Sequence, residues 1–125
     1  MGLDQYLYKV KTNMSTKEFM ERRDKLDLDE WGFLNEKQFD ELCNSVNMEE
    51  IDYWRKSYDL DKYLTNLYYE KGGTKEFNCK YLELTADDIS NVIKHFKDDE
   101  SIVDSMEKAL IQINKGYRIW YENWW

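Results

Sequence analysis

The chain ends on Tyr117-Arg-Ile-Trp-Tyr-Glu-Asn-Trp-Trp125, a stretch dominated by aromatic side chains. Successive side chains of a strand point to opposite faces, so Tyr117, Ile119 and Tyr121 share one face. Trp120 and Trp124 share the other. Rings on both faces predict one of two arrangements: a strand buried on both sides, or a strip of exposed rings that contacts a partner. Burial on both sides requires a helix layer on each face of the sheet.

Two further strands are predicted from alternation and composition. Residues 5–11 place Tyr6, Tyr8 and Val10 on one side. Residues 77–84 form a plausible strand of ordinary length. Strands near both termini and residues 77–84 then build a small sheet.

Helix-start signals divide the rest of the chain. Ser15 and Glu18 form a capping box, and Asn35 repeats that pattern before a second helix. Further helices are predicted over residues 53–71, which Gly72-Gly73 ends, and over residues 85–97 and 101–114. The sequence therefore predicts an α+β fold in which several helices pack on the small sheet, within a single domain of residues 1–125.

Charge and aromatic content restrict the partners. The formal net charge is -8, although 16% of the residues are aromatic. Nucleic acid and anionic membranes repel an acidic body, so we expect neither as a direct ligand, and a basic protein as partner. No apolar run reaches the roughly 20 residues of a membrane span, and the N-terminal stretch lacks an apolar signal region, so the expected location is the cytoplasm of the host bacterial cell.

Residues that catalysis recruits are scarce. The single histidine, His95, lies late in a predicted helix, where the helix dipole favours a cation. Cys43 and Cys79 lack the spacing of a metal site and are expected to be buried, reduced thiols. Gly72-Gly73 fits no phosphate-binding loop. The sequence predicts no enzyme activity, no catalytic residue, no cofactor and no metal.

Residues 27–38 resemble a degraded calcium-binding EF-hand loop. Asp27 and Asp29 fall at its first and third positions. Trp31, however, stands where an oxygen ligand is needed, and Gln38 replaces the bidentate glutamate. An acidic turn before an asparagine-capped helix explains the same residues, so we expect no calcium site.

Acidic residues recur in clusters along the chain. On one face they would imitate the spaced charges of a nucleic-acid backbone and compete for the Lys/Arg channel of a nuclease. The alternative is a solvated surface that keeps the protein soluble. The candidate partner-binding residues are these clusters and the C-terminal tryptophans: Asp27, Asp29, Glu30, Glu49, Glu50, Asp52, Asp98, Asp99, Glu100, Trp120, Trp124 and Trp125.

Two motifs carry a resemblance to a known family. Met1-Gly-Leu-Asp-Gln-Tyr-Leu-Tyr8 and Tyr53-Trp-Arg-Lys56 are similar to small bacteriophage and prophage proteins, of uncharacterised function, that begin Met-Gly-Leu-Asp-x-Tyr-Leu and finish on an aromatic strand. The resemblance implies a phage origin and an accessory, non-structural role. The family has Ala-Asn in place of Ser57-Tyr58 and a histidine near Asp61, so it implies no acid–base role in this chain.

Because both motifs are present, we expect them to touch. Trp54, at the start of the helix predicted over residues 53–71, is expected to fix the docking of that helix by its burial. Arg55 is expected to pair with a carboxylate such as Asp4. Asp4, Trp54 and Arg55 are the expected structural anchor.

These observations predict a small acidic phage protein that binds and inhibits a bacterial defence effector, such as a CRISPR nuclease, stoichiometrically and without catalysis. It would be anti-CRISPR-like and could act as a nucleic-acid mimic. The alternative is a binder or sponge of a nucleotide signalling molecule, with aromatic rings that stack on the base. Its cations would be Arg22, Arg23, Arg55, Lys56 and Arg118.

Overall fold

The C-terminal strand lies inside the sheet. In this computed structural model, which describes residues 2–125, the elements in chain order are β1 (Asp4–Val10), α1 (Thr16–Asp24), α2 (Glu36–Ser45), β2 (Glu49–Arg55), α3 (Tyr58–Glu70), β3 (Tyr81–Leu84), α4 (Ala86–His95), α5 (Glu100–Asn114) and β4 (Arg118–Trp124). The strands form one antiparallel sheet in the order β2-β1-β4-β3. The predicted α+β class, with strands near both termini at the centre of the sheet, is confirmed.

The strand register assigns each side chain to one of two faces. Leu7 of β1 lies opposite Tyr121 of β4, and Tyr6 lies opposite Glu122. We call the face with Leu7 and Tyr121 the closed face, and the face with Tyr6 and Glu122 the half-covered face. The predicted alternation of the C-terminal strand is confirmed, since its odd and even residues join different cores.

Helices α3, α4 and α5 pack on the closed face. Each fully buried apolar side chain contributes about 1.5–3 kcal/mol, so this core supplies most of the stability. Its buried members are Leu7, Trp54, Leu60, Leu64, Phe77, Leu82, Leu84, Ile89, Val92, Ile102, Met106, Ala109, Ile119 and Tyr121.

A buried hydrogen-bond network closes one end of that core. Gln5 Nε2 donates to the Tyr121 hydroxyl and to the Ser57 carbonyl, both at 3.0 Å, and Ser57 N–H donates back to Gln5 Oε1 at 2.8 Å. The Tyr121 hydroxyl and Asn123 Nδ2 both donate to Asp61 Oδ1, at 2.9 and 2.8 Å. Because buried polar groups are costly without partners, this network fixes β1, β4 and the start of α3 together.

Helices α1 and α2 cover only one end of the half-covered face. The core beneath them contains Val10, Phe19, Leu42, Val46, Tyr81 and Trp120. Tyr6, Tyr53 and Trp124 share that face but belong to neither core. Because α1 and α2 cover only one end, the rest of the half-covered face has no helix of residues 2–125 packed on it.

The free edges of the sheet are protected in different ways. At β3, Met20 Sδ accepts from the Tyr81 N–H at 3.4 Å, and Lys71 Nζ donates to the Glu83 carbonyl at 2.9 Å. At β2, the register shifts near Ile51, and charged side chains line the strand. Bulges and charges of this kind oppose edge-to-edge pairing with another chain.

The predicted helix starts are confirmed at three positions. The side chains of Ser15, Asn35 and Thr85 each accept a hydrogen bond from the backbone N–H three residues on. At Thr85 the capping box is complete, since the Asp88 carboxylate accepts from the Thr85 N–H at 2.9 Å. Capping satisfies amides that a helix leaves unpaired at its start.

The helix predicted over residues 53–71 is wrong in its first part. Tyr53 and Trp54 lie in β2, and α3 begins at Tyr58. The recurrence of Trp54, Ser57 and Leu60 at three-residue intervals suits a helix, but pairing of β2 with β1 outweighs that local preference. Lys56, with φ of +60°, turns the chain between strand and helix.

Other boundaries differ less. The strand predicted over residues 77–84 begins only at Tyr81, after a turn in which Cys79 has φ of +56°. The helix predicted to residue 97 ends at His95. None of the helices within residues 2–125 is both long and apolar enough to cross a bilayer.

Candidate functional site

The uncovered part of the half-covered face carries rings and carboxylates together. Asp4 lies opposite Trp124, and Tyr6 lies between Tyr53 and Glu122. Cross-strand partners share a face, so these five side chains form one surface, which we call the open face. Trp124 is 56% exposed and Tyr53 is 42% exposed.

Ring contacts hold the open face in shape. The Tyr6 and Tyr8 rings stack with centroids 5.9 Å apart, and the Tyr6 and Tyr53 rings lie 5.1 Å apart at a tilt. The Tyr53 hydroxyl donates to the Asp4 carboxylate. Rings fixed by neighbours lose little freedom on binding, which favours them as contact residues.

Glu122 forms the acidic floor beside these rings. It is half-buried, and its Oε1 accepts from the Tyr8 hydroxyl at 3.0 Å. Burial raises the pKa of this carboxyl, while hydrogen bonds from Tyr8 and Tyr81 and the charge of Arg23 oppose the shift. A nearby cation would stabilise the charged carboxylate further.

Burial and the same carboxylate raise the pKa of the Tyr8 hydroxyl. Tyr8 therefore remains a neutral hydrogen-bond donor to Glu122.

A second exposed aromatic surface lies on the loop between α1 and α2. Residues 27–35, which we call the hairpin, are closed by a bridge between Leu28 and Leu34. Asp29 Oδ1 accepts from the N–H groups of Trp31 and Phe33, both at 2.9 Å. Trp31 is 76% exposed and Phe33 71%. The carboxylate thus orders a loop whose rings face water.

The same hydrogen bonds explain the calcium-loop pattern without an ion. Asp27 Oδ2 accepts from Gln38 Nε2, and Gln38 Oε1 accepts from the Asp27 N–H, both at 2.9 Å. Asp29 is occupied by two backbone amides. No group of three or more His, Cys, Asp or Glu side chains within residues 2–125 is placed to hold a metal.

The structure brings two of the predicted acidic clusters together. Asp52 accepts from the Ser105 hydroxyl, which also donates to the Ser101 carbonyl at 2.9 Å. Asp52 therefore contacts α5 on the closed-face side of the sheet, the side that it shares with Glu49, which pairs with Lys9 at 3.5 Å. Glu50, opposite Tyr8, lies on the half-covered face. The third cluster, on the hairpin, belongs to the layer on the opposite side of the sheet.

Two of the predicted contact residues also form contacts that stabilise the fold. Asp99 is the N-cap of α5 and accepts from the Ile102 N–H at 3.2 Å. Asp52 lies 3.8 Å from Lys108 as well as beside Ser105. Asp98, Glu100 and Glu30 are exposed and have no ion pair within residues 2–125. The side chains of these three residues are accessible to a partner.

The prediction that Trp120 contacts a partner is wrong. It has no exposed surface and packs with Phe19 and Tyr81 beneath α1. Trp124, four residues later on the same face, is exposed because the helices end before it. Trp125 is partly exposed, and its backbone N–H donates to Asn78 Oδ1 at 3.0 Å.

The predicted anchor is only partly present. Trp54 is buried in the closed-face core. Asp4 and Arg55 are opposite each other across β1 and β2, but Asp4 bonds to the Tyr53 hydroxyl and forms no ion pair with Arg55 within the described chain. Arg55 is exposed and lies at the rim of the open face.

The two cysteines, predicted to be buried, are half-buried, and the histidine lies at the surface. Both thiols are free, and burial is the main cause that raises their pKa, to about 11 for Cys43. A raised pKa keeps a thiol protonated and a weak nucleophile. His95 is exposed and packs against the rings of Tyr63 and Phe96, with centroids 4.8 and 4.7 Å away.

Sequence reasoning missed several residues of these surfaces. Alternation places Tyr6 on a strand face, but the helix predicted over residues 53–71 contains Tyr53, so the sequence does not join the two. The even position of Glu122, between Trp120 and Trp124, is the signal that places it on their face. The calcium-loop pattern treats Trp31 only as a departure from a ligand position. A prediction of β2 would have assembled the open face.

Comparison with known proteins adds no relative. No family model matches the chain, and neither a curated protein nor a solved structure matches it.

Proposed function

We propose that this is a small acidic phage-encoded protein that binds a basic bacterial defence effector in the host cytoplasm and inhibits it stoichiometrically. A CRISPR nuclease is one such effector. The observation that carries the proposal is the open face, where Tyr6, Tyr53 and Trp124 lie beside Asp4 and Glu122 on a sheet face that no helix of the described chain covers.

The chemistry of the open face suits an arginine- or lysine-bearing protein segment. A guanidinium stacks on Tyr or Trp rings and pairs with carboxylates in the same contact. Asp4 and Glu122 supply that charge, and Glu50 adds to it at the rim, since it lies opposite Tyr8 on the same face. Aromatic residues of this kind are the usual hot spots of interfaces.

The acidic clusters serve the approach of the partner. The net charge of -8 speeds the encounter with a basic surface, and the exposed acids of β2 and α5 add to this long-range attraction. A stable interface buries about 800 Å² on each partner, so a contact of that size extends from the open face to Glu50 at its rim.

A non-enzymatic role is part of the proposal. Its support is the chemistry of the possible reactants: thiols with raised pKa values and a histidine that packs on Tyr63 at the surface. Inhibition by occupation needs only a surface.

The alternative with arginines around a nucleotide finds less support. Arg118 is bound to Glu83 and to the carbonyls of Thr12 and Met14, and Arg22 pairs with Glu18. Arg55 lies on another strand at the far side of the sheet. The arginines do not converge on one pocket.

The test is capture of the effector from the natural host with matched tryptophan variants. We expect the unmodified protein to retain one basic effector and to inhibit it at equimolar amounts. The double variant Tyr53→Ala/Trp124→Ala should weaken binding at least about tenfold, as removal of hot-spot rings does. Trp31→Ala, which removes an even more exposed ring from the hairpin, is the control.

Two results would reject the proposal. One is retention of no effector by the unmodified protein. The other is full binding by the double variant together with loss of binding in Trp31→Ala, which would move the contact to the hairpin. Glu50→Gln should flatten the salt dependence of binding if charge steers the encounter.

A further inference from the structure

A positively charged cleft lies on the side of this acidic protein next to β3. It has a volume of about 670 Å³ and is bounded by α1, by the loop after α3 and by β3. We call it the β3 cleft. Its size falls within the range of about 300–1,000 Å³ that is typical of small-molecule sites.

Cations outnumber carboxylates in the β3 cleft. The lining includes three carboxylates, those of Glu21, Asp24 and Glu83, and five cations: Lys17, Arg23, Lys71, Lys75 and Lys80. The whole chain has the opposite balance, with 26 acidic and 18 basic residues. Positive charge is therefore concentrated where a concave surface can enclose a ligand.

Two of these cations are fixed by the fold. Arg23 is buried, and its Nη1 donates to the Cys79 carbonyl at 2.5 Å. Lys71 donates to the Glu83 carbonyl at 2.9 Å and also bonds to Asp88. They give the cleft a rigid basic wall, and part of their hydrogen-bonding capacity is already used within the protein.

The other three cations are available to a ligand. Lys17, Lys75 and Lys80 form no ion pair with a carboxylate of residues 2–125. They come from α1, from the loop after α3 and from the segment before β3, so the tertiary fold alone brings them together. Three ammonium groups around one cavity match an anion that carries several negative oxygens.

The loop that carries Lys75 is held close to the cleft. A Cβ atom on Gly73 would lie 2.3 Å from the Tyr68 ring, so only glycine permits this approach. Tyr68 in turn stacks on Phe77, with centroids 4.6 Å apart. The position of the loop is set by packing and does not depend on a ligand.

We propose that the β3 cleft binds a small polyphosphate anion, either an inorganic chain or the phosphates of a nucleotide. The recognising groups are the ammonium ions of Lys17, Lys75 and Lys80. This site lies at the β3 edge, whereas the open face is formed by β2, β1 and the end of β4. The proposed anion site and the proposed protein partner can therefore be tested independently of each other.

Calorimetric titration of the full chain at low ionic strength tests the site with three probes: tripolyphosphate, ATP and adenosine. We expect tripolyphosphate and ATP to bind and adenosine not to bind. Equal affinity for the first two would identify an inorganic chain as sufficient, whereas tighter binding of ATP would identify a nucleotide. Binding should weaken as salt is added.

Charge-matched double variants locate the binding. Lys75→Gln/Lys80→Gln should lower the affinity about tenfold or more, because two charge-assisted contacts are lost. Lys37→Gln/Lys115→Gln removes the same charge outside the cleft and should leave the affinity within about twofold. Lys75, Lys37 and Lys115 are exposed and Lys80 is half-buried, and an unchanged thermal midpoint confirms that each variant is folded.

Two outcomes would overturn the site. One is no heat of binding with either polyphosphate. The other is an equal loss in both double variants, which would attribute binding to overall charge.

Discussion

The two faces of the sheet contain similar residues but differ in how completely helices cover them. On the closed face, helices α3, α4 and α5 enclose Tyr121 and its neighbours completely. On the half-covered face, α1 and α2 enclose Trp120 and leave Trp124 in water. The difference shows that two tryptophans four residues apart on one face of a strand can belong to the core and to the surface. We therefore look for a binding surface where the helices α1 and α2 no longer cover the sheet.

The largest expected effect separates the two tryptophans of β4. Trp120→Ala should lower the free energy of unfolding by about 3–5 kcal/mol, because a large buried ring is replaced by a cavity. Trp124→Ala should change it by no more than about 0.5 kcal/mol, as is usual for exposed sites. Chemical denaturation of both variants measures the contrast. A similar loss in the two would mean that the open face is covered.

The next effect tests whether the closed face is sealed by its polar network. Gln5→Leu leaves the Ser57 N–H without its acceptor and removes the buried donor to the Tyr121 hydroxyl, so we expect a loss of about 1–3 kcal/mol in the same measurement. Gln112→Leu is the control, since within the described residues the Gln112 side chain bonds only to the Lys9 ammonium. A loss at Gln5 no greater than at Gln112 would show that water reaches this end of the closed face.

A smaller effect, limited to acidic pH, tests the floor of the open face. Burial raises the pKa of Glu122 in the folded state, so its contribution is favourable below the unfolded pKa and is lost as pH rises through the folded pKa. Glu122→Gln removes this titration. We expect the variant to gain stability relative to the unmodified protein as pH increases from about 4 to 7.

Thermal midpoints across that pH range make the comparison. The other carboxylates titrate in both proteins, so the difference between the two curves isolates Glu122. Parallel curves would show that the Glu122 carboxyl is as well solvated in the fold as in the unfolded chain.

The smallest effect concerns the hairpin. Asp29→Ala removes the acceptor of two backbone amides and should cost about 0.5–1 kcal/mol, while Glu30→Ala should cost almost nothing. Hydrogen exchange at the Trp31 and Phe33 amides should accelerate only in the first variant. Unchanged exchange in Asp29→Ala would mean that the hairpin is ordered by its bridge alone.

Local signals made much of this fold predictable. The caps at Ser15, Asn35 and Thr85 each depend on one side chain and one amide nearby, so sequence locates them well. The alternation of Trp120 and Tyr121 is equally local. The sequence does not predict β2, because this strand is stabilised by its pairing with β1 and has no local pattern of its own.

The surfaces were less predictable for the same reason. Whether Trp120 or Trp124 is exposed depends on where α1 and α2 end above the sheet. The open face needs β2 to deliver Tyr53 beside Tyr6, and the β3 cleft needs three distant segments to bring their lysines together. Such surfaces follow from tertiary packing, whereas the acidic clusters are visible in the chain itself.

The most direct test of the account is whether the open face binds a cationic protein segment. Titration with a short arginine-rich peptide, followed by NMR of the tryptophan indole and tyrosine ring signals, reports every aromatic surface at once. We expect Trp124, Tyr53 and Tyr6 to shift, Trp31 to stay in place, and the same peptide with citrulline for arginine to have no effect. Shifts centred on Trp31, or spread evenly over the acidic clusters, would contradict the account.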